Sequence, residues 1–173
     1  MGASCSGKST LVEAIHKKYP MLTIIREIAG TFTAAERNVF NFQEMIQTRQ
    51  IEAETEFSNG FVSDRTVMDN MAYLLWYYKA HGMKNSQLLC RCFAMFDKHM
   101  KSHPYDTVFF VDEYFVLEDN GIRCLNHKQQ EESFRMLQNI AELYCNVYSI
   151  PLVFIKGSTE ERIKTIESHV ALE

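Results

Sequence analysis

The 173-residue chain lacks any apolar run near the roughly 18 residues needed to cross a bilayer, and no signal-peptide pattern precedes its first motif. The expectation is a soluble, cytoplasmic protein with no membrane partner. An ordered cysteine pattern is missing too. Cys5, Cys90, Cys92, Cys124 and Cys145 are odd in number and scattered, and no pair has CxxC spacing, which leaves reduced thiols rather than a zinc site. There is no basic excess: a net charge of −4 gives no electrostatic reason to expect a polyanion. A nucleic-acid partner would need a local patch, and the one candidate, Lys98-His99-Met100-Lys101-Ser102-His103, reads more simply as a solvated helix end. Repeats, low-complexity tracts and interdomain linkers are likewise absent. What remains, 46% hydrophobic and 12% aromatic, is a globular chain with length for one domain, residues 1–173.

The stretch Gly2-Ala3-Ser4-Cys5-Ser6-Gly7-Lys8-Ser9, followed by Thr10, fits GxxxxGK[ST]. In that pattern successive backbone N–H groups curl around an anion, Lys8 adds a mobile positive charge and the Ser9 hydroxyl holds Mg²⁺. The following helix would begin at the phosphate end with its positive dipole facing the anion, and Leu11, Val12 and Ile15 give it an apolar side. Such a loop ordinarily leaves the end of a buried central strand, yet only Met1 precedes Gly2. A sheet without its middle strand exposes two unpaired edges, so the expectation is that the natural protein starts upstream.

Met21-Leu22-Thr23-Ile24-Ile25 reads as a strand ending in Arg26-Glu27, charges that would reach the rim where the loop lies. From Thr33 to about Phe57 the pattern is helical, with Thr33-Ala34-Ala35-Glu36 as a capping box and Gln43, Gln47 and Gln50 near one face, favoured as a solvated face over one that reads a substrate. Gly60-Phe61-Val62-Ser63 is a short strand terminating in Asp64-Arg65. A carboxylate there can serve Mg²⁺ or take a proton from an attacking hydroxyl, and the arginine can hold a phosphoryl oxygen bidentately. Helices follow over 67–80 and about 85–100, with apolar stripes for the sheet. Trp76, Tyr77 and Tyr78 are expected in the core rather than as a stacking platform. Thr107-Val108-Phe109-Phe110-Val111 is the most strand-like run. It ends in Asp112-Glu113, which leaves open a motor-ATPase element with Glu113 as water-activating base. Asn120-Gly121-Ile122-Arg123 marks a turn, a helix over 129–145 follows, and with Arg123 and Arg135 the segment 116–135 suits a lid. A last strand, Pro151 to Ile155, leads to a helix capped by Ser158 or Thr159.

These pieces resemble the P-loop nucleoside and nucleotide kinases of the thymidylate-kinase-like group, and more narrowly the NadR-type ribosylnicotinamide kinase domains. The resemblance rests on GASCSGKST, REIA, SDRTVMDNMAY, YDTVFFV, NGIR and GSTEER, in that order. It implies that Gly2, Ala3, Ser4, Cys5, Ser6, Gly7, Lys8, Ser9 and Thr10 bind ATP phosphates, with Ser9 and Asp64 at Mg²⁺. Asp64 would lie near the acceptor and the metal, Arg65 would contact phosphoryl or substrate, and Glu27 would rival Asp64 as base. Arg123 would be the lid arginine, and the 157–162 turn would border adenine. The lid reads Asp-Asn-Gly where Asp-Gly is usual. Related kinases dimerise through helices beside the Asp-Arg block, which allows a homodimer.

The expected fold is α/β, a three-layer P-loop NTPase fold whose parallel sheet lacks its first, central strand. The expected activity is Mg-dependent transfer of phosphoryl from ATP to a nucleoside, nucleotide or related small molecule. Two alternatives stay open: a kinase acting on 5-hydroxymethyluracil in phage DNA, against which the acidic balance speaks, and a nucleotide-hydrolysing switch without a small-molecule acceptor. No NKxD guanine signature is present.

Overall fold

A computed structural model describes residues 1–37, 39, 41–57, 60–82, 86–115 and 127–171. Helix α1 (Lys8–Lys18) starts at Gly7, whose φ of 79° is left-handed, and ends before Pro20 with His16, Lys17 and Lys18 in its last turn, where cations complement the helix dipole. Strand β1 (Thr23–Ile25) follows, then a 3₁₀ turn (Ile28–Thr31). Thr33 and Glu36 form the expected capping box, with Thr33 N–H donating to Glu36 Oε2 (2.7 Å) and Glu36 N–H donating to Thr33 Oγ1 (3.3 Å). The helix expected to run on to 57 is instead two, the single turn α2 (Ala34–Arg37) and α3 (Phe42–Glu56). Buried Phe32, ahead of α2, packs edge-on to Phe42 at the start of α3, 5.3 Å between centroids, beneath the Arg49 guanidinium.

Strand β2 (Phe61–Ser63) leads into α4 (Val67–His81). Thr66 caps α4 with both halves of a capping box shared with Asp69, and Gly82 ends it in a left-handed conformation. Then come α5 (Ser86–Ser102), β3 (Val108–Val111), α6 (His127–Val147), β4 (Leu152–Ile155) and α7 (Thr159–Glu167), the last capped by Ser158 with Glu161 at its third position. β1 pairs parallel to β2 from Thr23–Phe61 to Ile25–Ser63, and β3 pairs parallel to β4 from Val108–Leu152 to Val111–Ile155. Among the described residues these are two separate two-stranded sheets.

Alternation along β3 divides the apolar residues between two cores. Val108 and Phe110 join α4, α5 and α6, while Val111 joins Leu11 and Ile15 of α1 and Ile166 of α7. Strands therefore lie between two helical layers. α5, expected to face the sheet, packs mainly on α3 and α4, and one reason is polar. His99 Nε2 lies 2.7 Å from Glu54 Oε2, Glu54 also accepts from Tyr105 Oη (2.8 Å) and Gln50 Nε2 (2.8 Å), and the Tyr105 hydroxyl accepts the Val67 N–H (3.0 Å). The glutamine face of α3 is thus turned inward, with Gln47 and Gln50 each 1% exposed. His99 is withdrawn from the supposed basic patch in the same way. No helix among the described residues is long and apolar enough to cross a membrane.

Because Thr66 closes the cap that aims α4 away from the Asp64-Arg65 corner, Thr66→Ala should cost about 1 kcal/mol and lower Tm by about 2–4 °C, read as the midpoint of a circular-dichroism melt.

Candidate active site

The loop that the motif marks is held from outside by its carbonyls. Gly2 O accepts from Arg65 Nη1 (2.9 Å), Ser4 O from Gln130 Nε2 (3.1 Å), Cys5 O from Phe115 N–H (2.9 Å) and Ser6 O from Arg162 Nη1 (2.7 Å). Ala3 O takes Lys8 Nζ (2.6 Å), and Gly7 O takes Leu11 N–H, the first bond of α1 (3.0 Å). The donors come from four places outside the loop and α1: the end of β2, the end of β3, α6 and α7. With the carbonyls engaged outward and α1 starting at Lys8, the first-turn N–H groups of the helix are left for an anion, as a phosphate cradle requires. Gly2 and Gly7 permit the tight path. At Gly2, with φ of 143°, an added Cβ would stand 3.1 Å from Val111 O, and at Gly7 it would meet the Arg162 guanidinium at 3.2 Å.

Lys8 is buried beneath this loop, its ammonium donating to Ala3 O and to Ser6 Oγ (3.2 Å). Burial, and then the nearby Arg65 charge, bring its pKa down from 10.5 to about 7. Ser9 Oγ donates to Asp64 Oδ2 at 2.5 Å, so α1 and the end of β2 bring the two expected magnesium ligands together. Asp64 Oδ1 is buried without a hydrogen-bond partner among the described residues. A hydroxyl beside a carboxylate with one unengaged oxygen fits Mg²⁺, which takes one or two protein oxygens and fills its octahedron with phosphate and water. Among the described residues there is no cluster of three or more His, Cys, Asp or Glu side chains to hold a metal alone.

Arg65, also buried, spans from the loop to Asp69 (Nη1–Oδ1 3.2 Å) and to Glu27 (Nε–Oε1 3.3 Å), with its guanidinium 5.3 Å from the Tyr73 ring centroid. Burial opposes its charge, but Tyr73, Asp69, Glu27 and Asp64 together outweigh it and raise its pKa. Glu27, 43% exposed at the side chain, opens onto a cavity of about 260 Å³ that Ser4 and Arg65 join to the loop. Phe42 and Tyr73 supply aromatic wall. Gln50, Asn70 and Trp76 supply polar wall, and their Oε1, Nδ2 and Nε1 atoms are buried with no partner among the described residues. The orientation of the Gln50 amide follows from its neighbours: Nε2 faces three acceptors, Glu54 Oε1, Ser63 Oγ and Arg65 O, which turns Oε1 towards the cavity.

Thus the structure gathers Gly2 to Thr10, Glu27, Asp64 and Arg65 about one corner. Arg123 lies outside the described residues, as do positions 116–126 of the expected lid; positions 127–135 form the opening turns of α6, where Arg135 makes an exposed pair with Glu131. Glu113 accepts Gly157 N–H (2.8 Å) and Arg162 Nη2 (3.1 Å), contacts that hold its carboxyl below the usual carboxylate range, so it joins β3 to the 157–162 turn. Sequence reasoning missed Gln130 and the loop-bracing role of Arg162, since only folding brings either to the loop. It also misjudged Trp76 and Tyr77 as core, because α4 presents one side to α6 and the adjoining side to the cavity. The helical spacing of the glutamines on α3 was a usable signal for the cavity wall.

Comparison with known proteins bears on the fold. A family model described as an AAA domain matches residues 1–162. No curated protein matches the chain. Among solved structures, the deoxyadenosine kinase of M. mycoides with bound dCTP superposes with a TM-score of 0.67 at 14% identity, covering 97% of this chain and 95% of that one. The same enzyme with the products dCMP and a flexible dCDP gives 0.68 at 14%, and with dATP 0.66 at 18%, with the same coverage. The chain therefore belongs to the AAA domain family and has the mixed α/β P-loop fold that this deoxyadenosine kinase shares.

Proposed function

We propose that the chain transfers the γ-phosphoryl of ATP to a hydroxyl of a nucleoside-like small molecule held in the cavity beside Glu27. The observation that carries this reading is adjacency. One corner of the fold combines a phosphate cradle with a small-ligand cavity whose wall has aromatic faces and unengaged polar atoms, and Ser4 and Arg65 belong to both. The likeness to a nucleotide-binding deoxyadenosine kinase supports it at the level of fold.

The two carboxylates divide the work. Glu27 opens onto the cavity and suits the base that receives the acceptor's hydroxyl proton, whereas Asp64 is engaged with Ser9 and suits the metal side. As the acceptor oxygen forms its bond to the γ-phosphorus, the bond to the bridging oxygen of the departing ADP breaks. Lys8 and Arg65 neutralise charge that builds on the phosphoryl oxygens. Magnesium held by Ser9 and Asp64 with phosphate oxygens would add its own charge neutralisation. Loop amides and the two cations hold the reactants in line, and positioning with electrostatics accounts for most of such catalysis. Phe42 and Tyr73 offer faces for a base, and Asn70, Trp76 and Gln50 offer two donors and one acceptor for its edge.

With labelled ATP, Mg²⁺ and a panel of nucleosides, nucleoside monophosphates, ribosylnicotinamide and 5-hydroxymethyluracil DNA, label should appear on a small-molecule acceptor. Release as free phosphate alone would favour a hydrolytic switch, and label on DNA would favour the polymeric acceptor. Lys8→Ala should abolish turnover with the circular-dichroism spectrum unchanged. Glu27→Gln should lower kcat by about 10²–10⁴-fold with little change in ATP affinity.

The burial of Lys8 also gives a sign for pH dependence. Its folded pKa of about 7 lies below the unfolded 10.5, so between these values the unfolded chain binds the extra proton and nucleotide-free stability rises with pH. The penalty is full below about 7 and gone near 10.5. Urea unfolding at pH 7 and pH 9.5 should show this rise in the native chain and lose it in Lys8→Met.

A further inference from the structure

The hydrogen-bonding sense of Gln50 at the cavity wall is dictated from behind the wall, along a chain of contacts that begins at a backbone amide. The Val67 N–H, at the start of α4, donates to Tyr105 Oη (3.0 Å). Burial first, then the Glu54 charge, raises the Tyr105 pKa well above the ordinary phenol value, so the hydroxyl keeps its proton. That proton points at Glu54, whose Oε1 and Oε2 lie 2.8 and 2.9 Å away. Glu54 is 2% exposed and meets His99 Nε2 on Oε2 as well (2.7 Å). A carboxylate surrounded by donors accepts at every position, so Gln50, one turn earlier on α3, presents its amide nitrogen to Glu54 Oε1 (2.8 Å). Reversing that amide would set its oxygen against the Glu54 carboxylate and against Arg65 O, which lies 2.9 Å from the same nitrogen. Ser63 Oγ, 3.1 Å from that nitrogen, already donates to Arg65 O and has only lone pairs left to offer. Gln50 Oε1 is therefore fixed at the cavity as an acceptor, buried and with no partner among the described residues.

We propose, resting on the reading of the cavity as a nucleoside site, that Glu54 is a positioning residue for base selectivity: by holding the Gln50 amide it makes the cavity demand a base with an amino group. Trp76 Nε1 can only donate, and it stands with Asn70 Nδ2 on α4, whereas Gln50 Oε1 comes from α3. The matching base has its donor at one end of its edge and acceptors beyond it. Cytosine has that order in its amino group, N3 and O2, and adenine has it in its amino group and N1. In uracil the N–H lies between two carbonyls, and in guanine a ring N–H follows the amino group, so each sets like against like. An acceptor that Glu54 keeps from turning cannot adapt to them.

The chain's single tryptophan lines the cavity, so its fluorescence reports occupancy without turnover. Adenosine is titrated against purine riboside, and cytidine against pyrimidin-2-one riboside, pairs that differ only in the amino group, each also as the 2′-deoxyriboside. In the native chain an amino nucleoside should bind at least about tenfold more tightly than its partner, since losing the amino group leaves Gln50 Oε1 unpaired. In Glu54→Gln an amide nitrogen stands opposite Gln50, whose own amide reverses, so the ratio should fall to about one or invert. Tyr105→Phe keeps the carboxylate and should lower Tm while leaving the ratio at its native value. An unchanged ratio in Glu54→Gln, an equal collapse in Tyr105→Phe, or no fluorescence response to any amino nucleoside would overturn the proposal. The orientation is also read on the native chain, whatever the fate of the variants. Gln50 amide protons should show nuclear Overhauser contacts to the Ser63 methylene, and contacts to the bound base instead would overturn it. Because the readout is binding, a native contrast without phosphoryl transfer would sink the kinase reading alone, and transfer without the contrast would sink this proposal alone.

Discussion

The arrangement on which everything else rests is the outward anchoring of the phosphate-loop carbonyls. A glycine-containing loop of six or seven residues has many conformations, and an anion cradle is one of them; fixing each residue costs about 1–2 kcal/mol of backbone entropy. Here the fixing is done by Arg65, Gln130, Arg162 and the Phe115 amide, each reaching in from a different part of the chain. With its acceptors occupied on the outside, the loop is left to present donors on the inside. The same contacts link the loop to every neighbouring part of the site: Arg65 leads to Glu27 and the cavity, and Arg162 leads to Glu113 and the 157–162 turn.

That linkage concentrates charge in a dry place. Lys8 and Arg65 are buried within a corner that also holds Asp64 and Asp69. Buried ions are tolerable only when paired and hydrogen-bonded. Arg65 meets that condition through Asp69, Glu27 and Gly2 O, and its charge is reinforced. Lys8 meets it less well, having neutral acceptors, and burial first, then the Arg65 charge, bring its pKa down. The corner therefore holds two unequally paired cations, Arg65 bound to carboxylates and Lys8 to neutral oxygens, beside an Asp64 oxygen with no hydrogen-bond partner among the described residues.

The local signals in the sequence carried far because they concern interactions a few residues long. The GxxxxGKS spacing, the apolar side of α1, the Thr33–Glu36 and Ser158 caps, the short β-branched strands and the break at Gly82 depend on neighbours in the chain, and each is found where the residues indicate. So is the joining of Ser9 to Asp64, because a strand end and a loop on one rim of a parallel sheet have little freedom to part. The packing of Phe32 on Phe42 was not legible, being a side-chain contact that periodicity does not encode.

Polar residues gave up least to sequence reasoning, for one physical reason. A glutamine, histidine or arginine on a helix reads as solvated unless a partner is waiting, and partners are supplied by other elements. Gln50 and His99 are buried because Glu54 and Tyr105 receive them, and Gln130 and Arg162 brace the loop because α6 and α7 pack where its carbonyls point. Trp76 leaves the core for the cavity wall because α4 is shared between α6 and the site. By itself the sequence determined the phosphate loop, the caps, the parallel strands and the carboxylates at their ends, all specified by local chemistry. The tertiary structure alone decided which donors brace the loop, and that Glu27 opens onto the cavity while Asp64 pairs with Ser9, because those follow from distances between elements far apart in the chain.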